Sequence, residues 1–213
     1  MSKRLKPDLR VRRRIAYAGG YSAGHIVPGL AIHERLNAKS NDTDGMFIGP
    51  ETGPERRFVE QEGMSFVPIP VVSYADRTSR GKVTAIVRML LNLPKCRRVL
   101  RREHTDLVLA LGSYVGVAPA LAAFTLRIPV IVFEPNCRLG LANHVCSKVA
   151  SEVWLSNLWA STRGSPHSGD PVVGVPMRLA TDAFSNIERT PPPHRPWRVM
   201  VLGGSRGHGL LNH

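Results

Sequence analysis

The seventeen residues IAYAGGYSAGHIVPGLA, positions 15–31, decide the fold. Ile15 to Ala18 is an apolar run of strand length. It breaks at Gly19 and Gly20, and Gly24 precedes a helical apolar pattern from Ile26 to Ala38 with Pro28 near its start. A strand, a glycine-bearing turn and a helix in succession form the opening unit of a parallel α/β sheet. Glycines let backbone approach a ligand closely, and a helix N-terminus offers unpaired N–H groups and partial positive charge suited to phosphate. His25 stands at that mouth, where it could donate to a diphosphate or act as a base. The spacing is not a GxGxxG fingerprint, so a purely steric role for the glycines stands beside the binding role.

The same alternation continues outward. Gly45–Ile48, Phe66–Ile69, Leu107–Leu111, Val130–Phe133, Val153–Leu155 and Val199–Leu202 read as strands. Pro54–Glu62, Thr84–Arg102, Val115–Leu126 and Leu139–Ala150 read as helices. Strands rich in Val, Ile and Leu separated by helices predict a doubly wound, Rossmann-like α/β fold, its parallel sheet covered on both faces. Loops after successive parallel strands gather at the carboxyl edge, so His25, Tyr114, Glu134 and Asn136 are expected to converge on one cleft. Taken singly, Tyr114 could equally be a packing residue and Glu134 a helix cap. After Val173 the texture turns to Pro, Ser, Thr and Asn, ending in Pro191, Pro192, Pro193 and Pro196. The reading divides the chain into a basic tail (1–14), an α/β domain (15–180), a stiff proline-rich linker (181–196) and the start of a second domain (197–213).

The chain has 213 residues, 43% of them hydrophobic, enough to bury a core. Its 29 Lys and Arg against 16 Asp and Glu give a formal charge of +13, which favours an anionic partner: nucleic acid, acidic lipid headgroups or a phosphorylated substrate. With 6% aromatic residues and no reading motif, nucleic acid is set aside. No stretch reaches the roughly 20 apolar residues of a membrane span, and a cytoplasmic protein is expected. Cys96, Cys137 and Cys146 have no metal-ligand spacing and read as free thiols. The basic run Lys3 to Arg14 is a solvated tail or a contact for an anionic surface.

Residues 80–102 interleave Val83, Ile86, Val87, Met89, Leu90, Leu91 and Leu93 with Arg80, Lys82, Arg88, Lys95, Arg97, Arg98, Arg101 and Arg102. This is more apolar than a one-faced helix requires, and it is flanked by cations. An element resting on an anionic membrane interface has that pattern, through Arg80, Lys82, Ile86, Met89, Leu90 and Leu93; so does a helix packed on the sheet with a solvated basic end. Pro94 should kink or split it.

In this order the motifs resemble the MurG family: Gly19 to His25 with Ile26-Val27-Pro28-Gly29-Leu30-Ala31; Gly112-Ser113-Tyr114-Val115; Glu134-Pro135-Asn136 with Gly140-Leu141-Ala142-Asn143; Gly174-Val175-Pro176-Met177-Arg178; and Leu202-Gly203-Gly204-Ser205-Arg206-Gly207. Five ordered motifs are far more specific than one. The first loop departs from the family, carrying Tyr21-Ser22-Ala23 where members have a shorter, more glycine-rich turn.

The resemblance implies the N-terminal half of a GT-B glycosyltransferase that moves N-acetylglucosamine from its UDP donor to the C4 hydroxyl of a muramyl-pentapeptide on undecaprenyl diphosphate, without a metal or other cofactor, at the cytoplasmic face of the membrane. His25 and Glu134 are then the candidate catalytic residues, and Ser22, Ala23, Gly24, Tyr114, Asn136, Arg178 and Ser205 the candidate substrate contacts, with Asn136, Arg178 and Ser205 toward the donor. Most of the donor site would lie beyond residue 213, so catalysis is expected only with a C-terminal domain, which a separate chain could supply. A non-catalytic protein that binds polyprenyl-diphosphate sugars at the membrane is the alternative.

Overall fold

The computed structural model describes residues 12–70, 89–157 and 170–180. Six strands, β1 (Arg13–Ala18), β2 (Thr43–Pro50), β3 (Ser65–Ile69), β4 (Leu107–Ala110), β5 (Val130–Glu134) and β6 (Glu152–Leu155), form one sheet in the order β3-β2-β1-β4-β5-β6, with every neighbouring pair parallel. The helices are α1 (Ala23–Ser40), α2 (Glu55–Gln61), α3 (Leu93–Arg102), α4 (Val117–Thr125) and α5 (Leu141–Ser147), with a 3₁₀ turn at Tyr114–Gly116 leading into α4. The Rossmann-like class expected from the sequence is the class observed.

Strand side chains alternate between two cores. On β1, Ile15 and Tyr17 join Phe47, Leu109, Leu111 and Phe133 beneath Ile26 and Leu30 of α1 and Val59 of α2. Ala16 and Ala18 face the opposite core, with Cys96 and Leu100 of α3, Ala118 to Ala123 of α4 and Cys146 of α5. The period of two along each strand is thus satisfied by apolar residues on both sides, which explains the continuous apolar runs. The alanines of α4 are small enough to let that helix lie close to both β4 and α3.

Several boundaries differ from the reading by a few residues, two of them for a clear local reason, and the split expected at Pro94 is present. β1 starts at Arg13 rather than Ile15: the Arg13 N–H donates to the Asp42 carbonyl at 2.8 Å and the Arg14 N–H to the Asp106 carboxylate at 2.8 Å. α1 starts at Ala23 rather than Ile26, with Ser22 as its extended N-cap residue. This moves His25 from the loop into the first helical turn. In the Arg80–Arg102 stretch, residues 89–91 are helical, a turn follows at Asn92, and α3 begins at Leu93 with Pro94 in its first turn. Proline lacks the N–H that would bond to the Leu90 carbonyl, so the helix splits there. The proline-rich linker (181–196), the segment 197–213 and all but the last residues of the basic tail lie outside the described residues.

Phe47 is fully buried at the centre of the α1–α2 face and stacks on Phe66 with ring centroids 6.3 Å apart. Phe47→Ala should lower unfolding free energy by about 3–5 kcal/mol, read from the urea midpoint.

Candidate functional site

The order of strand connections reverses between β1 and β4. β1 is followed by β2 on one side, and the chain then crosses back to place β4 on the other. A crevice opens outside the carboxyl ends at such a point, and it is where open α/β sheets bind ligands. The two strands are tied there by a bond from the Leu111 N–H to the Ala18 carbonyl at 2.8 Å. The loops that follow, Gly19–Ser22 and Gly112–Ser113, therefore start side by side.

His25, third residue of α1, lies across this junction. Its Nδ1 is 3.1 Å from the Gly20 carbonyl and 2.9 Å from the Ser22 hydroxyl. A carbonyl only accepts, so Nδ1 carries the proton and Nε2 presents a lone pair. Burial holds the imidazole pKa below its ordinary value, opposed by the Gly20 hydrogen bond and the Glu134 charge, which keeps the ring neutral near pH 7. Below the ring is Gly112: a Cβ there would come within 2.7 Å of Cδ2 and 3.0 Å of Nε2, and the backbone φ is +101°. Both the conformation and the contact demand glycine at 112.

Glu134 ends β5 with only 1% of its surface exposed. One carboxylate oxygen accepts from the Asn136 backbone N–H at 2.9 Å and the Asn136 side-chain amide at 2.7 Å; the other accepts from the Gly140 N–H at 3.1 Å and the Asn143 amide at 2.9 Å. Four donors saturate the group. Glu134 thus holds the loop carrying Asn136 and the start of α5. Asn136 itself is exposed at the edge. Asn143 was only part of a motif in the sequence. Here it is buried beside Gly112, its amide also bonded to the Phe133 carbonyl at 3.0 Å and its Oδ1 without a partner.

On the other side of the α1 N-terminus, a cavity of about 460 Å³ separates α1 from α2. Ser22 and Ala23 stand at its mouth, Ile26, Leu30 and Phe58 along it, and Arg178 at its far end. Tyr21 adopts φ +65°, a left-handed conformation costing a non-glycine residue about 1–2 kcal/mol. The buried Glu55 holds it there, accepting the Tyr21 N–H at 2.7 Å. Glu55 had no signal in sequence beyond an acidic helix start. Arg178 is clasped by two carboxylates, Nε to Glu34 of α1 at 2.9 Å and the terminal nitrogen to Glu62 at 2.9 Å, while the Leu179 N–H also donates to Glu34 at 3.0 Å. The segment 170–180 is thereby fastened to α1 and the end of α2.

The remaining candidates divide. Tyr114 is half-buried and packs against the α3–α5 core. Met89, read as a membrane contact, is buried in that same core, and Leu93 packs against it. Met89, Leu93, Cys96 and Leu100 follow the i, i+4, i+7, i+11 spacing of one helical face, and that face turns to the sheet. Leu90 is exposed as expected, and Leu91, which the membrane-contact set omitted, is 72% exposed. Arg80, Lys82, Ile86 and Ser205 lie outside the described residues. Among the described residues no group of three His, Cys, Asp or Glu side chains could hold a metal, and no helix is long and apolar enough to cross a membrane.

The glycosyltransferase family 28 N-terminal domain matches residues 15–155, more than half of the chain. The chain belongs to this family. The UDP-N-acetylglucosamine--N-acetylmuramyl-(pentapeptide) pyrophosphoryl-undecaprenol N-acetylglucosamine transferase of Listeria monocytogenes (strain EGD-e) is 30% identical over 208 residues, 93% of this chain and 55% of that protein. The enzyme of the same name from Lawsonia intracellularis is 32% identical over 207 residues, 95% of this chain and 54% of that protein. The chain thus spans about half the length of these curated relatives. Among solved structures, MurG of Acinetobacter baumannii superposes with a TM-score of 0.59 at 24% identity, covering 75% of this chain and 44% of that one. This likeness supports the GT-B half-fold.

A pH dependence follows from two buried histidines. His33 of α1 lies between Asn37 and Tyr17, and burial lowers its pKa, opposed by the charges of Asp44 and Glu62. With folded pKa values of His25 and His33 below the unfolded value of about 6.5, the unfolded chain binds more protons as pH falls through that value. Stability should be full above pH 7 and decline toward pH 5, measured as urea midpoints. The double variant His25→Asn/His33→Asn should show a shallower decline over the same window.

Proposed function

We propose that this chain forms the acceptor side of a transferase that moves N-acetylglucosamine from UDP-N-acetylglucosamine to the muramyl sugar of a pentapeptide-bearing undecaprenyl diphosphate, the conversion that its relatives' names describe. The observation that carries the reading is the placement of His25, its Nδ1 3.1 Å from the Gly20 carbonyl, in the first turn of an eighteen-residue helix on the edge where the sheet's connections reverse.

In this reading the acceptor diphosphate lies against the first turn of α1, where the N–H groups and partial positive charge favour it. The sugar's C4 hydroxyl oxygen attacks the anomeric carbon of the donor sugar. The bond from that carbon to UDP breaks, UDP leaves with the electron pair, and the hydroxyl proton passes to His25 Nε2. Burial keeps His25 unprotonated at the start, and the nearby Glu134 charge stabilises the imidazolium that forms. Glu134 serves by holding Asn136 at the rim. Asn136 and Arg178 face the donor side, with Ser205 contributing from the segment beyond.

The same reading puts the protein on the inner membrane surface. Leu90 and Leu91 stand exposed just before α3, whose sequence carries Lys95, Arg97, Arg98, Arg101 and Arg102, apolar side chains followed by cations as a membrane-surface element requires. The double variant Leu90→Asp/Leu91→Asp should bind vesicles containing anionic lipid at least tenfold more weakly than the native chain, as measured by co-sedimentation. Unchanged binding would remove this patch from the membrane contact.

The activity is tested by transfer of labelled N-acetylglucosamine to a short-chain lipid acceptor, using this chain mixed with the C-terminal half of the Listeria relative. Transfer in the mixture, lowered at least a hundredfold by His25→Ala, is the expected result. Acceptor binding without transfer favours a binding protein for polyprenyl-diphosphate sugars instead.

A further inference from the structure

We propose that the cavity between α1 and α2 receives the peptide carried by the acceptor; the inference rests on the acceptor reading above. An acceptor with its diphosphate on the first turn of α1 and its hydroxyl at His25 has a third branch to house, the peptide. Two sides of the helix end are available. Toward β4 and β5 the Gly112 loop lies against the His25 ring, with Asn143 and Glu134 buried behind it. Toward α2 the structure is open, and the cavity begins at Ser22 and Ala23, whose loop adjoins His25 through the 2.9 Å contact of the Ser22 hydroxyl.

The lining fits a peptide better than a sugar or a phosphate. Ile26 and Leu30 form an apolar floor, while Val27 and Phe58 leave 40% and 53% of their surfaces exposed along the opening. Such walls accept methyl and methylene groups and offer little to a polyhydroxylated ring. Tyr21, Ser22, Glu55, Gln61 and Glu62 add to the lining a few polar groups that can bond peptide amides, while Arg178, held by Glu34 and Glu62, stands at the far end. A volume of about 460 Å³ lies within the range of small-molecule sites, roughly 300–1,000 Å³. The clasp of Arg178 by Glu34 and Glu62 fixes that end of the cavity in place, which makes it a preformed site.

The test compares two short-lipid diphosphate acceptors, one with the pentapeptide and one without, titrated against this chain by calorimetry. The native chain should bind the peptide-bearing compound at least tenfold more tightly. Phe58→Ser, a change at an exposed position, should reduce that advantage at least fivefold and leave the affinity of the peptide-free compound unchanged, with the melting temperature checking the fold. Equal affinity of the two compounds for the native chain overturns the proposal while leaving the acceptor reading intact. So does a Phe58→Ser variant that weakens both compounds alike or neither. Binding of neither compound overturns the acceptor reading and this inference together.

Discussion

The bond from Leu111 to Ala18 ties the carboxyl ends of two strands across 93 positions of the chain, and everything at the crevice is arranged around that tie. It aligns the first glycine loop with the second. Because β1 sits between β2 and β4, α1 must leave the sheet over the junction, which carries His25 across to Gly112. The two cores keep this geometry rigid, since a parallel strand pair buried on both faces cannot slip without exposing one side chain set and burying the wrong one.

Around the junction, polar groups are used chiefly for placement. Glu134 is held by four N–H donors, Glu55 by the strained Tyr21 backbone, and Glu34 with Glu62 by Arg178. Together they fix three segments: the loop bearing Asn136, the loop bearing Ser22, and 170–180. The crevice is consequently bounded by backbone positions that side chains deeper in the protein determine, as a preorganised site requires. His25 is the exception, a titratable group whose Nδ1 is tied to the Gly20 carbonyl and the Ser22 hydroxyl while Nε2 lies beside Gly112.

Much of this was legible in the sequence. Apolar strands separated by helical patterns gave the parallel sheet, and the carboxyl-edge rule brought His25, Tyr114, Glu134 and Asn136 to one end of it. What the sequence withheld were orientations. Glu134 and an exposed carboxylate look alike in a string of letters, because only the neighbouring N–H groups at Asn136, Gly140 and Asn143 reveal its burial. Met89 read as a membrane contact because the stretch 80–102 is apolar on more than one face, and letters alone do not say which apolar face meets the sheet. The link between Glu55 and Tyr21 joins positions 34 apart and has no periodic signature. Arg178 carried a family expectation, yet its two carboxylate partners come from separate helices that no local spacing connects.

The contact of the His25 ring with the Cα of residue 112 also has an evolutionary side. The histidine occupies the volume that any side chain at 112 would need, so the two positions form one unit of selection. A lineage that kept the imidazole could not drift from glycine at 112, whatever happened elsewhere in the loop. One that lost the imidazole for a smaller group would be released from the steric half of that constraint, although the positive φ would still favour glycine. Substitution at 112 alongside a retained histidine would therefore mark a chain whose second loop had been rebuilt.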